Sequence, residues 1–258
     1  GVLIALIEGH RLPSLRQAQV KAGVRSPDHG TGGYQKHQNT GLTAPQKFLL
    51  QLAAAIVFTV LMRNHHYLTP DLYIPFVNVT LFLPWPVYMV FAAFVMVATV
   101  NAVNLTDGID GLASSVTFVV MMGFMFIASL LGNTTMALFA AAVAGGCAGF
   151  LAWNFYPAKT FMGDTGSMFL GGAVVAVAYG IGRPELLLFM GVIYLIEAFS
   201  VMLQVTYFKL THGKRIFRMA PLHHHLELGG WSEVKLFCVF SGVTLLACVL
   251  AFLGVMGR

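Results

Sequence analysis

The sequence predicts an all-α fold, a polytopic transmembrane helix bundle of about seven spanning helices with polar loops gathered at one end. Three observations predict it. Of 258 residues, 57% are hydrophobic and 10% charged, with a mean hydropathy of +0.77. An ordinary soluble chain carries about a quarter charged residues. Apolar stretches close to the roughly 20 residues that cross a bilayer as helix fall at 46–62, 85–103, 112–131, 135–153, 167–182, 185–208 and 235–256. Finally, the 15 Lys and Arg are unevenly placed. Counting Lys47 and Lys235 with the adjacent connections, twelve lie in one set of alternate connections and three in the other. The positive-inside rule makes the richer side cytoplasmic.

Taken in order, 46–62 is short for a span, and 85–103 follows the polar connection "NHHYLTPDLYIPFVNVTLFLPWP". The turns "LGNTT" and "GRPE" reverse the chain on that same, basic-poor side. Residues 1–45, "NLTDGIDG", "NFYPAKTFMGDTG" and "FKLTHGKRIFRMAPLHHHLELGGWSEVK" fall on the other. The unusual polar chemistry is thus expected on the cytoplasmic face. A net charge of +5 and pI of about 9.2 fit topology and anionic lipid better than nucleic acid, which is not an expected partner. Cys147, Cys238 and Cys248 sit in apolar runs without CxxC spacing and read as small buried hydrophobes.

The segment 1–40 stands apart. It lacks helical or strand periodicity and is rich in Gly, Pro, Gln and basic residues, which predicts loop or disorder. Its opening "GVLIALIE" is too short to span and has no basic leader or small-residue cleavage pattern, so no signal peptide is expected. Residues 41–258 are expected to form one transmembrane domain.

Two Asp-Gly loops precede apolar helices on the polar face. In "NAVNLTDGIDGL", residues 101–112, Asp107 and Asp110 are three apart; in a helical stretch they would project on neighbouring azimuths and could face one ligand together. Helix capping is the plainer role for either Asp107 or Thr106. Asn104 adds an amide to the turn, while Gly108 and Gly111 leave room for close approach. In "FMGDTGS", Asp164 stands before the next helix, where it too could cap. Mg²⁺ takes one or two carboxylates plus substrate phosphates, so the paired loops suggest a magnesium diphosphate site.

His223, His224 and His225 are consecutive in "MAPLHHHLE". Neighbours on a helix diverge by about 100°, so a three-histidine zinc site is not expected. Beside Lys214, Arg215 and Arg218 they suggest a patch for phosphate or proton transfer, with a lipid-attracted basic loop as the alternative. In the run 185–208, Glu197, Ser200, Gln204 and Tyr207 recur at helical spacing. Packing is expected for Glu197 and a cleft position for Gln204. Phe155, Tyr156 and Phe161 suit a membrane interface, and Phe161, near Asp164, could also stack on a base.

"NAVNLTDGIDGLA", "NFYPAKTFMGDTGS" and "LQVTYFKLTHGKRIFRMAPLHHHLELGGW" resemble, in order and spacing from about Gly41 onward, the bacterial phospho-N-acetylmuramoyl-pentapeptide transferases. These belong to the wider polyprenyl-phosphate sugar-1-phosphate transferases, and "APLHHHLELGGW" looks like the muramoyl-pentapeptide branch. The resemblance implies transfer of phospho-MurNAc-pentapeptide from UDP-MurNAc-pentapeptide to undecaprenyl phosphate, giving lipid I and UMP for peptidoglycan synthesis at the bacterial inner membrane. It implies Mg²⁺ as cofactor and Asp164 as its ligand. It carries the family's essential polar residues onto Asp107, Asp110 and His223. The nucleotide pocket maps onto Asn104, Gly108, Ile109, Phe161 and Gln204, with Asn154, His224 and His225 as further substrate contacts. The bilayer is an implied partner and a homodimer a possible assembly.

Residues 1–40 depart from the family. Where relatives carry an aspartate pair in a "DDxxK" setting, this chain reads "ALIEGHRLPSLRQ", with Glu8 the only acid nearby. The segment is expected to be aberrant, the domain incomplete on its N-terminal side, and lipid I formation by this chain alone negligible. Alternatives are a sibling enzyme using UDP-GlcNAc, a transporter with Glu197 and the aspartates as a cation path, and a non-catalytic membrane remnant.

Overall fold

The computed structural model describes residues 43–74 and 79–257; the segment 1–40, and with it Glu8, lies outside them. The described residues from Leu52 onward form one packed unit. Seven long helices stand among them: α1 (Ala44–Asn64), α2 (Trp85–Thr106), α3 (Leu112–Leu130), α4 (Thr134–Asn154), α5 (Gly163–Gly180), α7 (Val192–Leu210) and α9 (Glu233–Met256). Two short ones, α6 (Leu186–Met190) and α8 (Leu222–Glu227), precede α7 and α9 respectively. A two-stranded antiparallel hairpin, β1 (Asp71–Ile74) and β2 (Val79–Phe82), pairs Asp71 with Phe82 and Ile74 with Val79. The hairpin was hidden in what reads as a polar connection, because four-residue strands are too short for a period-two signal.

Six helices, all the long ones except α5, are long and apolar enough to cross a membrane, and the chain is a multi-pass membrane protein. α5 is 18 residues long, and its first turns spend Asp164, Thr165 and Ser167 on polar chemistry, which lowers its apolarity. The stretch 185–208 is expected as one helix but is two. The break falls at Gly191, whose N–H donates to Leu187 O (3.0 Å) while its own carbonyl accepts from Leu195 N (3.0 Å). A Cβ there would lie 2.5 Å from Leu187 O, so the tight junction requires glycine.

The helix ends follow local chemistry. Pro86 lies in the first turn of α2, where its missing N–H costs nothing. Asn133 caps α4 by accepting from Met136 N (3.1 Å), and Ser232 caps α9 by accepting from Lys235 N (3.3 Å). α3 is apolar around most of its circumference and forms the centre of the core, with Val116, Val120, Met121 and Phe124 fully buried. The buried hydroxyls of Thr117 and Tyr194 satisfy each other at 2.7 Å.

Two contacts determine which loops meet. A Cβ at Gly171 would stand 2.7 Å from Val100 Cα, so α2 and α5 pack backbone against backbone. That approach brings the end of α2 to the beginning of α5. At the opposite end Asn133 Nδ2 donates to Gly180 O (3.0 Å), joining the α3–α4 turn to the end of α5.

Candidate active site

The last turn of α2 places Asn104 beside the first turn of α5. Its Nδ2 donates to Ser167 Oγ (2.8 Å) and to Asp164 Oδ1 (3.3 Å), and Ser167 Oγ donates back to Gly163 O (3.0 Å). Asp164 is exposed at the positive end of the α5 dipole, while Asp107, just past α2, is half-buried. Burial, followed by the nearby charge of Asp164, pushes the Asp107 carboxyl up to about 6. Because Asp107 follows three residues after Asn104, which contacts Asp164 directly, the two carboxylates lie at one polar mouth.

Asp110 is parted from them. Residues 107–111 form turns rather than helix, so the three-residue spacing does not aim Asp107 and Asp110 the same way. Asp110 Oδ2 instead accepts from Ala158 N (2.7 Å), and Asp110 N donates to Glu233 Oε2 (3.1 Å). Gly111, at φ +73°, takes the left-handed conformation that lets α3 begin immediately afterwards. Ile109, between the two aspartates, packs half-buried against the core.

Asn154, buried at the end of α4, uses both ends of its amide: Oδ1 accepts from Ser114 Oγ (3.1 Å) and Nδ2 donates to Thr160 O (2.8 Å). It thereby holds the strap from 155 to 162 that carries Phe161, a residue 73% exposed. Gln204 staples the loop after α7, its Oε1 accepting from Ile216 N (3.1 Å) and Phe217 N (3.0 Å) and its Nε2 donating to Phe217 O (3.3 Å).

The three histidines part company as their spacing requires. His225 Nδ1 accepts from Arg218 N (3.1 Å), and the Arg218 guanidinium donates to Leu228 O (2.6 Å). His224 Nδ1 meets Glu227 Oε2 at 2.9 Å. Burial, and then the neighbouring His223, lower the pKa of His224. His223 is fully enclosed and bonded to Glu197, which is equally enclosed in α7. Packing describes Glu197 only in part, for its carboxylate is spent wholly on His223. A buried acid in an apolar helix signals a partner; the 26-position separation of the two hides which one. Glu233, Ser167 and Ser114 also escaped sequence reasoning, since each reads as an ordinary cap or small helix residue.

Among the described residues no three His, Cys, Asp or Glu side chains are grouped to hold a metal. The donor set at the mouth is two neighbouring carboxylates, Asp107 and Asp164, which suits Mg²⁺ completed by substrate phosphates and water.

A family model described as glycosyl transferase family 4 matches residues 35–182, including both Asp-Gly loops. The chain belongs to glycosyl transferase family 4. Similar members of the family are named phospho-N-acetylmuramoyl-pentapeptide-transferase. That of Caldicellulosiruptor bescii is 50% identical over 214 residues, covering 83% of this chain and 66% of the relative. That of Acetivibrio thermocellus is 48% identical over 220 residues, covering 84% and 66%. That of Clostridium acetobutylicum is 49% identical over 218 residues, covering 84% and 67%. The chain spans about two thirds of the length of the curated relatives it matches.

Proposed function

We propose that this family 4 chain is a phospho-N-acetylmuramoyl-pentapeptide transferase, acting on UDP-MurNAc-pentapeptide and undecaprenyl phosphate at the bacterial inner membrane. The observation that carries the reading is the mouth itself, where Asn104, three residues before Asp107, grips both Asp164 Oδ1 and Ser167 Oγ at the start of α5. Asp164, with Asp107 across from it, would hold Mg²⁺, which when bound supplies neutralising charge to the diphosphate. In the transfer, an oxygen of the lipid phosphate forms a new bond to the phosphorus bearing the sugar, and the bond from that phosphorus to the UMP oxygen breaks. UMP leaves with the electron pair. The chain's own work is positioning and electrostatics, as in phosphoryl transfer generally. Asn104 fixes one carboxylate oxygen of Asp164, exposed Phe161 offers a face on which a uracil ring can stack, and Lys214 and Arg215 lend positive charge beside the histidine loop.

The deciding experiment, on the chain with residues 1–40 replaced by the corresponding segment of a relative, is magnesium-dependent UMP release in lipid nanodiscs with undecaprenyl phosphate as acceptor. Release with UDP-MurNAc-pentapeptide and not with UDP-GlcNAc is the expected result; the reverse preference would replace this reading with the sibling activity.

The same reading puts the mouth on the cytoplasmic face. In a background with the native cysteines replaced, Lys214→Cys and Thr135→Cys are expected to react with an impermeant thiol reagent from opposite sides, Lys214→Cys from the cytoplasm. Labelling of both from one side would refute it.

A further inference from the structure

The metal and nucleotide reading leaves the buried pair Glu197 and His223 without a task. Both oxygens of Glu197 serve one residue: Oε1 accepts from His223 N (3.2 Å) and Oε2 from His223 Nδ1 (2.9 Å). The first bond places the start of α8, and the second sets the plane of the ring and puts a proton on Nδ1. Nε2 is then turned away from Glu197, buried and without a hydrogen-bond partner. It faces Gly108. A Cβ at Gly108 would lie 2.7 Å from Cε1 and 3.3 Å from Cδ2 of the ring, and closer still to Nε2. The imidazole therefore fills the volume that a side chain at 108 would need, on the inner side of the turn whose outer side is exposed.

We propose that Glu197 and His223 are a positioning pair: Glu197 fixes the His223 ring, and the ring, seated against Gly108, holds the 107–111 turn so that Asp107 stands opposite Asp164. The proposal rests on the reading of those two aspartates as a metal–diphosphate site. It makes His223 a residue that acts through the aspartate turn, because its enclosed ring reaches Gly108 and not the mouth. It also gives Gly108 a steric reason to be glycine, independent of any ligand.

The test uses the chain in nanodiscs, with Mn²⁺ in the presence of UMP as the probe, read by electron paramagnetic resonance, and thermal unfolding measured in parallel. Glu197→Gln and Gly108→Ala are each expected to weaken Mn²⁺ binding roughly tenfold or more, the usual scale when a group supporting a metal ligand is removed. Gly108→Ala should also lower the unfolding temperature, and adding His223→Ala should recover part of that loss, since the space is then vacated. His223→Asn keeps a donor for Glu197 in the place of Nδ1 and should retain more Mn²⁺ affinity than His223→Ala. Unchanged Mn²⁺ affinity in Glu197→Gln and Gly108→Ala, with normal binding by the unmodified chain, would overturn the positioning pair alone. Simple addition of the two thermal losses in the double variant would overturn the seating of the ring against Gly108. No Mn²⁺ binding by the unmodified chain would instead overturn the transferase reading on which the pair depends.

Discussion

In the chain whose residues 1–40 are replaced by the corresponding segment of a relative, Asp164→Asn is expected to remove magnesium-dependent UMP release by on the order of a thousandfold, the scale seen when a major electrostatic contact to the reacting group is lost. The substitution keeps the shape of the side chain and deletes its charge. Asn104 Nδ2, now 3.3 Å from Asp164 Oδ1, can still donate to the amide oxygen, so the local packing survives. Losing a negative charge from the first turn of α5 costs about 0.3–1 kcal/mol, too little to unfold the bundle. The loss should therefore appear in turnover and metal affinity, with circular dichroism and unfolding temperature nearly unchanged. Turnover near that of the same N-terminally replaced chain with Asp164 intact would remove Asp164 from the metal site.

Metal binding is also expected to weaken on acidification, through Asp107. Its carboxyl is pushed up to about 6 by burial and then by Asp164, so it is largely ionised at pH 7 and largely protonated at pH 5. Where a cation must displace that proton, affinity falls by up to about tenfold per pH unit below 6. Stability runs the other way. For a carboxyl raised above its ordinary value of about 3.9, the stabilising contribution belongs to the protonated form. It is fully present below that ordinary value and is lost as pH rises through about 6. The metal-free chain should thus gain stability between pH 7 and 5 through this group while it loses Mn²⁺ affinity. Asp107→Asn should flatten both profiles. An Mn²⁺ affinity that is level from pH 7 to 5, or a slope that persists in Asp107→Asn, would contradict the assignment.

Legibility followed the range of the underlying physics. Helices α1 to α4 and α9 could be read because apolar runs near span length are local facts, and the polar loops because Gly, Asp and Asn mark turns. The two Asp-Gly loops were legible as belonging together because each stands in the same local setting, but that Asp107 rather than Asp110 faces the Asp164 loop was not. The division of 185–208 at Gly191 was not, since the contact that demands glycine there is a single backbone oxygen, Leu187 O. Asn154 and Gln204 could be recognised as polar groups at the ends of apolar helices. That each spends both ends of its amide on a neighbouring loop was not written in their spacing.

By itself the sequence determined the class of the protein, a multi-pass helical bundle, along with its family motifs and the end of the bundle where the polar chemistry lies. Those properties depend on transfer free energy and turn chemistry, which act over one helix or one turn. Only the tertiary structure decided who partners whom. Asp110 ties to Ala158 and Glu233 rather than joining Asp107, Asn104 grips Asp164 from 60 residues away, and Glu197 grips His223, whose ring then fills the space at Gly108. In each case a polar group brought against a neighbouring element finds its hydrogen bond in whatever lies opposite, and for the buried Glu197 and His223 that bond is obligatory. Which residue lies opposite is settled by how closely the helices approach, as where Gly171 meets Val100.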